Sequence, residues 1–288
     1  MIVTPIFDGH VHLIDEDADD YVAALLHTMD RHGVVRAVVF GLQGDPACGD
    51  HLALQAHARY PDRFLPFACE IDDNAPDLGE QVGAKLADPS WRGLGEVFLA
   101  TKNRSTPYQL RRGEQAEYVY PVPPRGALDP GFREVFEASA QRRRPVLVHC
   151  DDAHVMDQIL ALHPETTFIW GHADHSVGDW NAERIRQSLQ KYPNLYYEVG
   201  VCLRGADLTW ENLPHLPDWY ACWIPALEQF PGRLTFGSDP YDWRHVEPDA
   251  HADALYAGAR EVEKHLSAEA ARMWLGGALA QLVGEEWG

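Results

Sequence analysis

Two histidines separated by one apolar residue lie close to the start of the sequence. They are His10 and His12, within the segment IFDGHVHLID at residues 6–15. Side chains alternate between the two faces of a β-strand, so on a strand both imidazoles point the same way. Neutral imidazoles are common ligands of zinc and related divalent ions. The pair therefore indicates either part of a metal site or two polar surface residues, and the rest of the sequence has to decide.

Four further side chains of metal-ligand type lie in or directly after short apolar runs. His149 closes the run RPVLVHC, and His172 follows the run TTFIW. Asp239 follows RLTFGS, and Glu96 lies inside WRGLGEVFLA. Histidine and carboxylate side chains together suit zinc and similar ions. Any one of these positions is weak evidence, but the repeated pattern favours a shared site.

Eight short β-rich runs carry or precede these residues, and the segments between the runs favour helices. The runs cover residues 5–13, 34–42, 63–71, 91–100, 144–150, 166–174, 194–201 and 233–240. Their starts lie roughly 30 residues apart, with a longer gap before the fifth, as in repeated βα units. The helical segment at 19–33 ends in a glycine, and the one at 129–144 opens with an Asp-Pro cap signal. These alternations predict an α/β fold, a single (β/α)8 TIM barrel formed by one domain over residues 1–288.

Such a barrel would bring the chemical residues together. Polar groups at the carboxyl ends of its strands converge on one mouth, where the active sites of this barrel type lie. Two long stretches interrupt the repeat, at residues 101–128 after the fourth strand and 203–223 after the seventh. Both are predicted to be loops on the same face, and long ordered loops are often functional.

Composition excludes several classes of function. The formal net charge of −20 disfavours nucleic acid and anionic lipid as partners, because both require a basic surface. The sequence contains no apolar run of about 18 residues, the length of a membrane span, and its start lacks the features of a secretory signal. Five cysteines without CxxC spacing are typical of reduced thiols. A cytoplasmic location is therefore expected.

In combination, these motifs resemble those of the amidohydrolase superfamily of metal-dependent hydrolases. The resemblance is closest to the amidohydrolase-related branch, which also contains decarboxylases, with some likeness to TatD-like hydrolases. The matching segments are DGHVHL, GLGEVFL, VLVHC, IWGHAD, FGSDP and the terminal WLGGALAQLVG. Two features depart from the pattern: Ala278 and Leu279 replace the usual Asn-Ala after Gly277, and the fourth strand has no lysine that could become a bridging carbamate.

The resemblance implies a role for each candidate residue. His10, His12 and Asp239 would bind one metal ion, and His149 and His172 would bind a second ion or assist the first. Glu96 would bridge the two ions, or pair with an arginine if it is not a ligand. Asp239 would also act as general base toward a water activated by the metal. Zinc is the expected ion, with manganese as the alternative, at one or two ions per chain.

Other polar residues have less certain roles. Glu198 and Glu70, near the ends of the seventh and third strands, could orient a ligand histidine or be ordinary rim charges. His175 is expected in the loop after the sixth strand rather than among the ligands. Four basic residues on the catalytic-face loops could hold a carboxylate or phosphate, or be solvated surface charges. They are Lys102, Arg104, Arg204 and Arg244.

The main functional hypothesis is a divalent-metal hydrolase of a small molecule that cleaves an ester, lactone, amide or phosphoester. The alternative is a lyase, a one-metal, non-oxidative decarboxylase of an aromatic acid that uses the same ligand set. A TatD-like nuclease is compatible with Glu96 but disfavoured by the acidic charge. A non-catalytic metal-binding barrel is less consistent with a complete set of ligands plus a base. A homodimer is a plausible assembly.

Overall fold

The computed structural model describes residues 4–13, 18–42, 49–71, 75–100, 129–176, 182–200, 216–239 and 248–287. Eight strands form one parallel sheet whose strand order follows the sequence, β1 to β8. The strands are β1 Ile6–His12, β2 Val34–Phe40, β3 Phe64–Ala68, β4 Gly93–Ala100, β5 Val146–Cys150, β6 Phe168–Trp170, β7 Leu195–Val199 and β8 Leu234–Phe236. The predicted (β/α)8 barrel is confirmed.

Helices alternate with these strands. They are α1 Ala18–His32, α2 Asp50–Arg59, α3 Leu78–Lys85, α4 Pro130–Gln141, α5 Ala153–Leu162, α6 Ala173–Ser176, α7 Ala182–Lys191, α8 Leu216–Gln229, α9 Pro248–Glu263, α10 Ala268–Arg272 and α11 Ala278–Val283. Helix α8 begins within the second predicted loop. The first predicted loop, 101–128, and residues 201–215 of the second lie outside the described residues. Among the described helices, none combines the length and apolar character needed to cross a membrane.

Local signals in the sequence explain where two of these helices begin and end. Asp129 adopts an extended backbone before α4, and its carboxylate accepts a hydrogen bond from Gly131 N (2.9 Å), with Pro130 in the first turn. This is an N-cap with the proline at a position where its missing N–H costs nothing. Helix α1 is followed by Gly33 at φ +68°, a left-handed conformation that glycine adopts without a steric penalty.

The interior of the barrel is filled with apolar side chains and closed by the C-terminal segment. Leu279 and Val283 of α11 pack there against aromatic and aliphatic residues from the strands: Phe7, Val38, Phe40, Leu65, Phe67, Leu147 and Ile169. Trp287 stacks on Phe7 with ring centroids 5.8 Å apart. The Glu285 carboxylate binds Arg36 (2.6 Å) and Arg92, which lie near the starts of β2 and β4. The C-terminal segment therefore covers the amino-terminal end of the barrel and leaves the carboxyl ends of the strands for polar chemistry.

A buried carboxylate joins the first and last strands. Asp8 on β1 is fully buried and accepts hydrogen bonds from Ser238 N (2.9 Å), from the Ser238 hydroxyl and from the Tyr256 hydroxyl on α9 (2.8 Å). The backbone N of Asp239 donates to His10 O (2.9 Å) across the same seam. These bonds fix the end of β8 against β1, and they therefore set the position of Asp239 relative to His10.

Candidate metal centre

All six predicted ligand residues meet at the carboxyl ends of the strands. His10 and His12 lie on β1, Glu96 on β4 and His149 on β5. Two more lie just beyond strand ends: His172 follows β6 and Asp239 follows β8. Four of the six, His10, His12, Glu96 and His172, are almost completely removed from solvent, and Asp239 and His149 are partly exposed.

The most compact group consists of His10, His12 and Asp239. The Nε2 atoms of the two histidines lie 3.2 Å apart, and Asp239 Oδ1 lies 3.7 Å from His10 Nε2 and 3.8 Å from His12 Nε2. An ion with ligand distances of about 2.0–2.2 Å in a tetrahedral site separates its ligand atoms by roughly 3.4 Å. The three donors therefore have the chemistry and spacing for a divalent ion.

Glu96 lies between two pairs of imidazoles. Its Oε2 is 3.4 Å from His12 Nε2 and 4.0 Å from His10 Nε2. Its Oε1 is 2.7 Å from His172 Nε2 and 3.1 Å from His149 Nδ1. Each carboxylate oxygen thus faces a different histidine pair. The side chain is in position to be shared between two ions, and His10, Glu96 and His172 form a second candidate ligand group.

The electrostatics of the cluster suit a cation. Burial alone would raise the pKa of Glu96, but hydrogen bonds from His12, His149 and His172 hold that pKa well below its usual range. Burial would likewise raise the pKa of Asp239, and the positive charges of nearby histidines lower it. Both carboxylates are therefore ionised at neutral pH, and they provide the negative charge that a divalent ion neutralises.

The histidines show the complementary effect. Burial would lower the pKa of His10, yet the carboxylates of Glu198 and Asp239 raise it to about 10. For His149, burial is outweighed by Asp151 and Glu96, which raise the pKa to about 9. A metal ligand must be a neutral imidazole, so metal binding here is coupled to release of protons from these rings.

Two contacts fix the orientation of the imidazole rings of His10 and His12. His12 Nδ1 lies 2.8 Å from Gly41 O, and His10 Nδ1 lies 2.8 Å from Glu198 Oε1. Such partners orient metal-ligating histidines and leave the other ring nitrogen for the ion. His149 differs, because its Nδ1 faces Glu96 and its Nε2 lies 3.3 Å from Asp151 Oδ1.

Two residues of the site adopt a left-handed backbone. His172 has φ +34° and Asp239 has φ +43°, values that are uncommon for residues with a Cβ. The backbone N–H of His172 donates to Glu198 Oε1 (3.2 Å), and that of Asp239 donates to His10 O (2.9 Å). Such conformations cost about 1–3 kcal/mol each and persist where surrounding contacts enforce them. They turn both side chains back over the mouth of the barrel.

Of the residues with uncertain roles, Glu198 contacts the cluster. Glu70 lies two residues after β3, and its backbone N donates to Oδ1 of Asp50 at the start of α2 (3.0 Å). His175 belongs to α6, and its side chain lies outside the described part of the structure. The four basic candidates, Lys102, Arg104, Arg204 and Arg244, also lie outside the described residues.

Sequence reasoning missed two contributors to the site, Asp8 and Asp151. A signal existed for Asp8, because it precedes His10 by two residues and period-2 alternation places both on one face of β1. Asp151 directly follows β5 and lies two residues after His149. Neither assignment could be made without knowing which strand and which helix pack against those positions.

Comparisons with known proteins identify the family and agree with the fold. The sequence profile of a family described as amidohydrolase matches residues 7–282. No curated protein matches the sequence significantly.

Solved structures with a similar fold cover nearly the whole chain at low identity. One is 4-oxalomesaconate hydratase from Rhodopseudomonas palustris, with 14% identity, 97% of this chain and 95% of that chain covered, and a TM-score of 0.61. A probable 2-pyrone-4,6-dicarboxylic acid hydrolase from Acinetobacter baumannii, with citric acid bound, has 17% identity, coverage of 97% and 99%, and a TM-score of 0.59. A 5-carboxyvanillate decarboxylase from Novosphingobium aromaticivorans with bound manganese has 12% identity, coverage of 97% of both chains and a TM-score of 0.53.

Proposed function

This chain belongs to the amidohydrolase family, and on that premise we propose that it is a divalent-metal-dependent hydrolase of a small molecule. The bond cleaved is an ester, lactone, amide or phosphoester. The observation that carries the proposal is the position of Glu96 between two histidine pairs, one facing each carboxylate oxygen. A shared carboxylate suits two ions about 3.5–4 Å apart, an arrangement that recurs in hydrolytic enzymes.

The ligand assignment follows from the histidine pairs on either side of Glu96. His10, His12 and Asp239 would hold one ion, His149 and His172 would hold the second, and Glu96 would be shared between them. Zinc suits this mixture of imidazole and carboxylate donors, and manganese is the alternative. A divalent ion bound here supplies Lewis acidity and lowers the pKa of a water molecule toward about 7.

The protein's own groups handle the proton. We assign the role of general base to Asp239, whose Oδ1 lies 3.7 Å from His10 Nε2 and 3.8 Å from His12 Nε2. Its side chain is 14% exposed, more than that of Glu96 at 4%, so it reaches the open mouth of the barrel. The hydrogen bond from its backbone N to His10 O fixes the carboxylate at the edge of the ligand group.

The substrate is proposed to be small. A net charge of −20 opposes approach of a long nucleic acid, which argues against nuclease activity. A small anion needs only one or two local cations, and the proposed contacts are Lys102, Arg104, Arg204 and Arg244. A cytoplasmic location and a homodimeric assembly stay predictions.

The second candidate is a one-metal decarboxylase of an aromatic acid. Two observations favour it. The His10–His12–Asp239 group is complete enough for a single ion without Glu96, and His149 also faces Asp151 rather than the cluster alone. In that reaction the substrate carboxylate would occupy the site and Asp239 would transfer a proton.

Metal content per chain distinguishes the two. Wild type and the Glu96→Gln variant are purified without chelators, and zinc and manganese are measured by elemental analysis. We expect about two ions per wild-type chain and about one in the variant, together with hydrolysis in an ester, lactone and phosphoester panel. Glu70→Gln is the matched control, since it removes an exposed carboxylate from the end of the neighbouring strand β3.

Each other outcome has a clear meaning. One ion in both proteins, with release of carbon dioxide from aromatic acids, overturns the hydrolase in favour of the decarboxylase. No ion in either protein, even after zinc or manganese is added, contradicts the metal centre itself.

A further inference from the structure

Glu198 on β7 is a buried carboxylate that touches the metal centre from behind. Its side chain is 1% exposed. One oxygen, Oε1, lies 2.8 Å from His10 Nδ1 and also accepts a hydrogen bond from the backbone N of His172 (3.2 Å). A single atom therefore contacts one residue from β1 and one from the turn after β6.

Two glycines make room for this carboxylate. A Cβ on Gly237, directly after β8, would lie 2.2 Å from Glu198 Cδ, and a Cβ on Gly9 would lie 3.3 Å from Oε2. The first distance is impossible for a real side chain. Glu198 is thus enclosed by β1 and β8 as well as by the turn after β6, and its carboxylate has one position available.

The arrangement is expensive for a group whose role is only structural. Glu198 Oε2 is buried and has no hydrogen-bond partner among the residues that the structure describes. An unsatisfied buried polar atom typically costs about 1–3 kcal/mol, and replacement by an apolar side chain of similar shape removes that cost. The benefit that offsets it is at Oε1, where the partners are two of the candidate ligand residues.

We propose that Glu198 is the positioning residue of the metal centre, holding the hydrogen of His10 on Nδ1 and fixing the backbone of His172. Oε1 accepts from the His172 N–H, so the hydrogen in its contact with His10 is carried by the imidazole. His10 Nε2 then presents its lone pair toward His12 and Asp239. His10 belongs to the group that would hold the first ion and His172 to the pair that would hold the second, so Glu198 contacts one residue of each.

The proposal rests on the metal centre proposed above, and it is tested by metal affinity rather than turnover. Wild type, Glu198→Ala, Glu198→Gln and Glu198→Asp are stripped of metal as full-length protein. Each is then titrated with zinc against a chromophoric chelator to obtain the dissociation constant, and the unfolding temperature of the metal-free protein is recorded in parallel.

We expect zinc affinity to fall about 10- to 100-fold in Glu198→Ala, the usual range for the loss of a partner that orients a metal-ligating histidine. Glu198→Gln retains an oxygen that accepts both hydrogen bonds and should lose roughly threefold. Glu198→Asp keeps the charge but withdraws the carboxylate by one methylene, and should lose about tenfold. The order wild type, Gln, Asp, Ala would show that position matters more than charge.

Asp50→Asn is the matched control. Like Glu198, Asp50 is a buried carboxylate, and it accepts hydrogen bonds from the backbone N–H groups of Cys69 (2.8 Å) and Glu70 (3.0 Å). Its side-chain partner is Lys85, whereas that of Glu198 is a histidine. This variant should unfold at a lower temperature and bind zinc as wild type does.

Three outcomes would overturn the inference. Zinc affinity of Glu198→Ala within twofold of wild type contradicts it and leaves the metal centre intact. Equal weakening in Asp50→Asn reduces the role of Glu198 to general stability. If Glu198→Ala does not fold, a wild-type zinc affinity in Glu198→Asp contradicts the inference. Failure of wild type itself to bind zinc or manganese is a separate outcome, which contradicts the proposed function.

Discussion

Asp8 and Glu96 are both buried carboxylates inside the same barrel, yet their environments shift their pKa values in opposite directions. Burial raises the pKa of Asp8 to about 6, although hydrogen bonds from Ser238, His10 N and Tyr256 oppose the rise. The pKa of Glu96 is held well below its usual range, because its partners are histidines. Hydroxyl and amide donors cannot take up charge, whereas imidazoles can.

This difference separates a structural carboxylate from a chemical one. The donors around Asp8 satisfy its oxygens and join β1, β8 and α9, but they leave no atom that could exchange a hydrogen bond for a metal bond. Each imidazole around Glu96 has a ring nitrogen that binds either a proton or an ion. The two regions meet on β1, where Asp8 and His10 are two residues apart.

The largest effect should come from removing the structural carboxylate. Asp8→Ala leaves Ser238, Tyr256 and two backbone N–H groups without their acceptor, and we expect the free energy of unfolding to fall by about 3–5 kcal/mol, since each unsatisfied buried donor costs about 1–3 kcal/mol. Urea denaturation of the metal-free protein measures it. Glu96→Gln is the comparison, and it should change this free energy by far less. A loss as large in Glu96→Gln would break the distinction between the two regions.

The pH dependence of the unfolding temperature should also distinguish the histidines of the metal centre from Asp8, with an effect of intermediate size. The pKa values of His10 and His149 are raised to about 10 and about 9, so their contribution to stability is complete below pH 6.5 and is lost as pH rises toward 10. The unfolding temperature of the metal-free protein should therefore fall by several degrees between pH 7 and about 9.5.

At acidic pH, the contribution of Asp8 to stability also depends on pH. Its folded pKa of about 6 exceeds the usual 3.8, so its contribution favours folding at low pH and declines as pH rises from about 4 to about 6. Asp8→Asn should abolish that decline and leave the alkaline one. An unfolding temperature that does not change from pH 7 to 9.5 in the metal-free wild type would contradict the assignment of charge to His10 and His149.

The smallest effect tests one bond of the seam. Tyr256→Phe deletes the hydroxyl that donates to Asp8 Oδ2 (2.8 Å) and keeps the ring that packs beside Phe236. We expect a loss of about 1 kcal/mol in the free energy of unfolding, the typical net value of one hydrogen bond. Zinc affinity should be unchanged, because the bonds from Ser238 to Asp8 still hold the end of β8 against β1. A weakened zinc site in this variant would mean that the Tyr256 bond is itself needed to position Asp239.

The convergence of the six candidate residues was predictable, because barrel topology alone brings the ends of parallel strands to one mouth. His149 and Asp239 lie far apart in sequence, and each was placed by the strand before it. The strands β6 and β8 proved shorter than the predicted runs 166–174 and 233–240. Beyond the last residues of the two strands, His172 and Asp239 adopt a left-handed backbone, which is not a strand conformation, and residue types do not reveal it.

Sequence reasoning missed Asp8, and it offered Glu198 the role of orienting a histidine without being able to choose it over a rim charge, for a related reason. Period-2 alternation tells which residues of a strand share a face, but it does not tell which neighbour fills the space opposite. For Glu198 that space depends on Gly9 and Gly237, whose missing side chains admit the carboxylate. These two glycines are therefore explained by the side chain of Glu198, a residue of another strand, which fills the space that their missing side chains leave.

The C-terminal segment has a consequence for how the chain folds during synthesis. Leu279, Val283 and Trp287 pack against Phe7 and other residues of the earliest strands, so the barrel interior is completed by a part of the chain made long after β1. Contacts of such large sequence separation slow folding, and a growing chain that lacks them exposes apolar surface. A ribosome-bound chain that stops before α10 should remain protease-sensitive and require chaperone protection, and acquisition of the native state should coincide with emergence of the segment around Glu285.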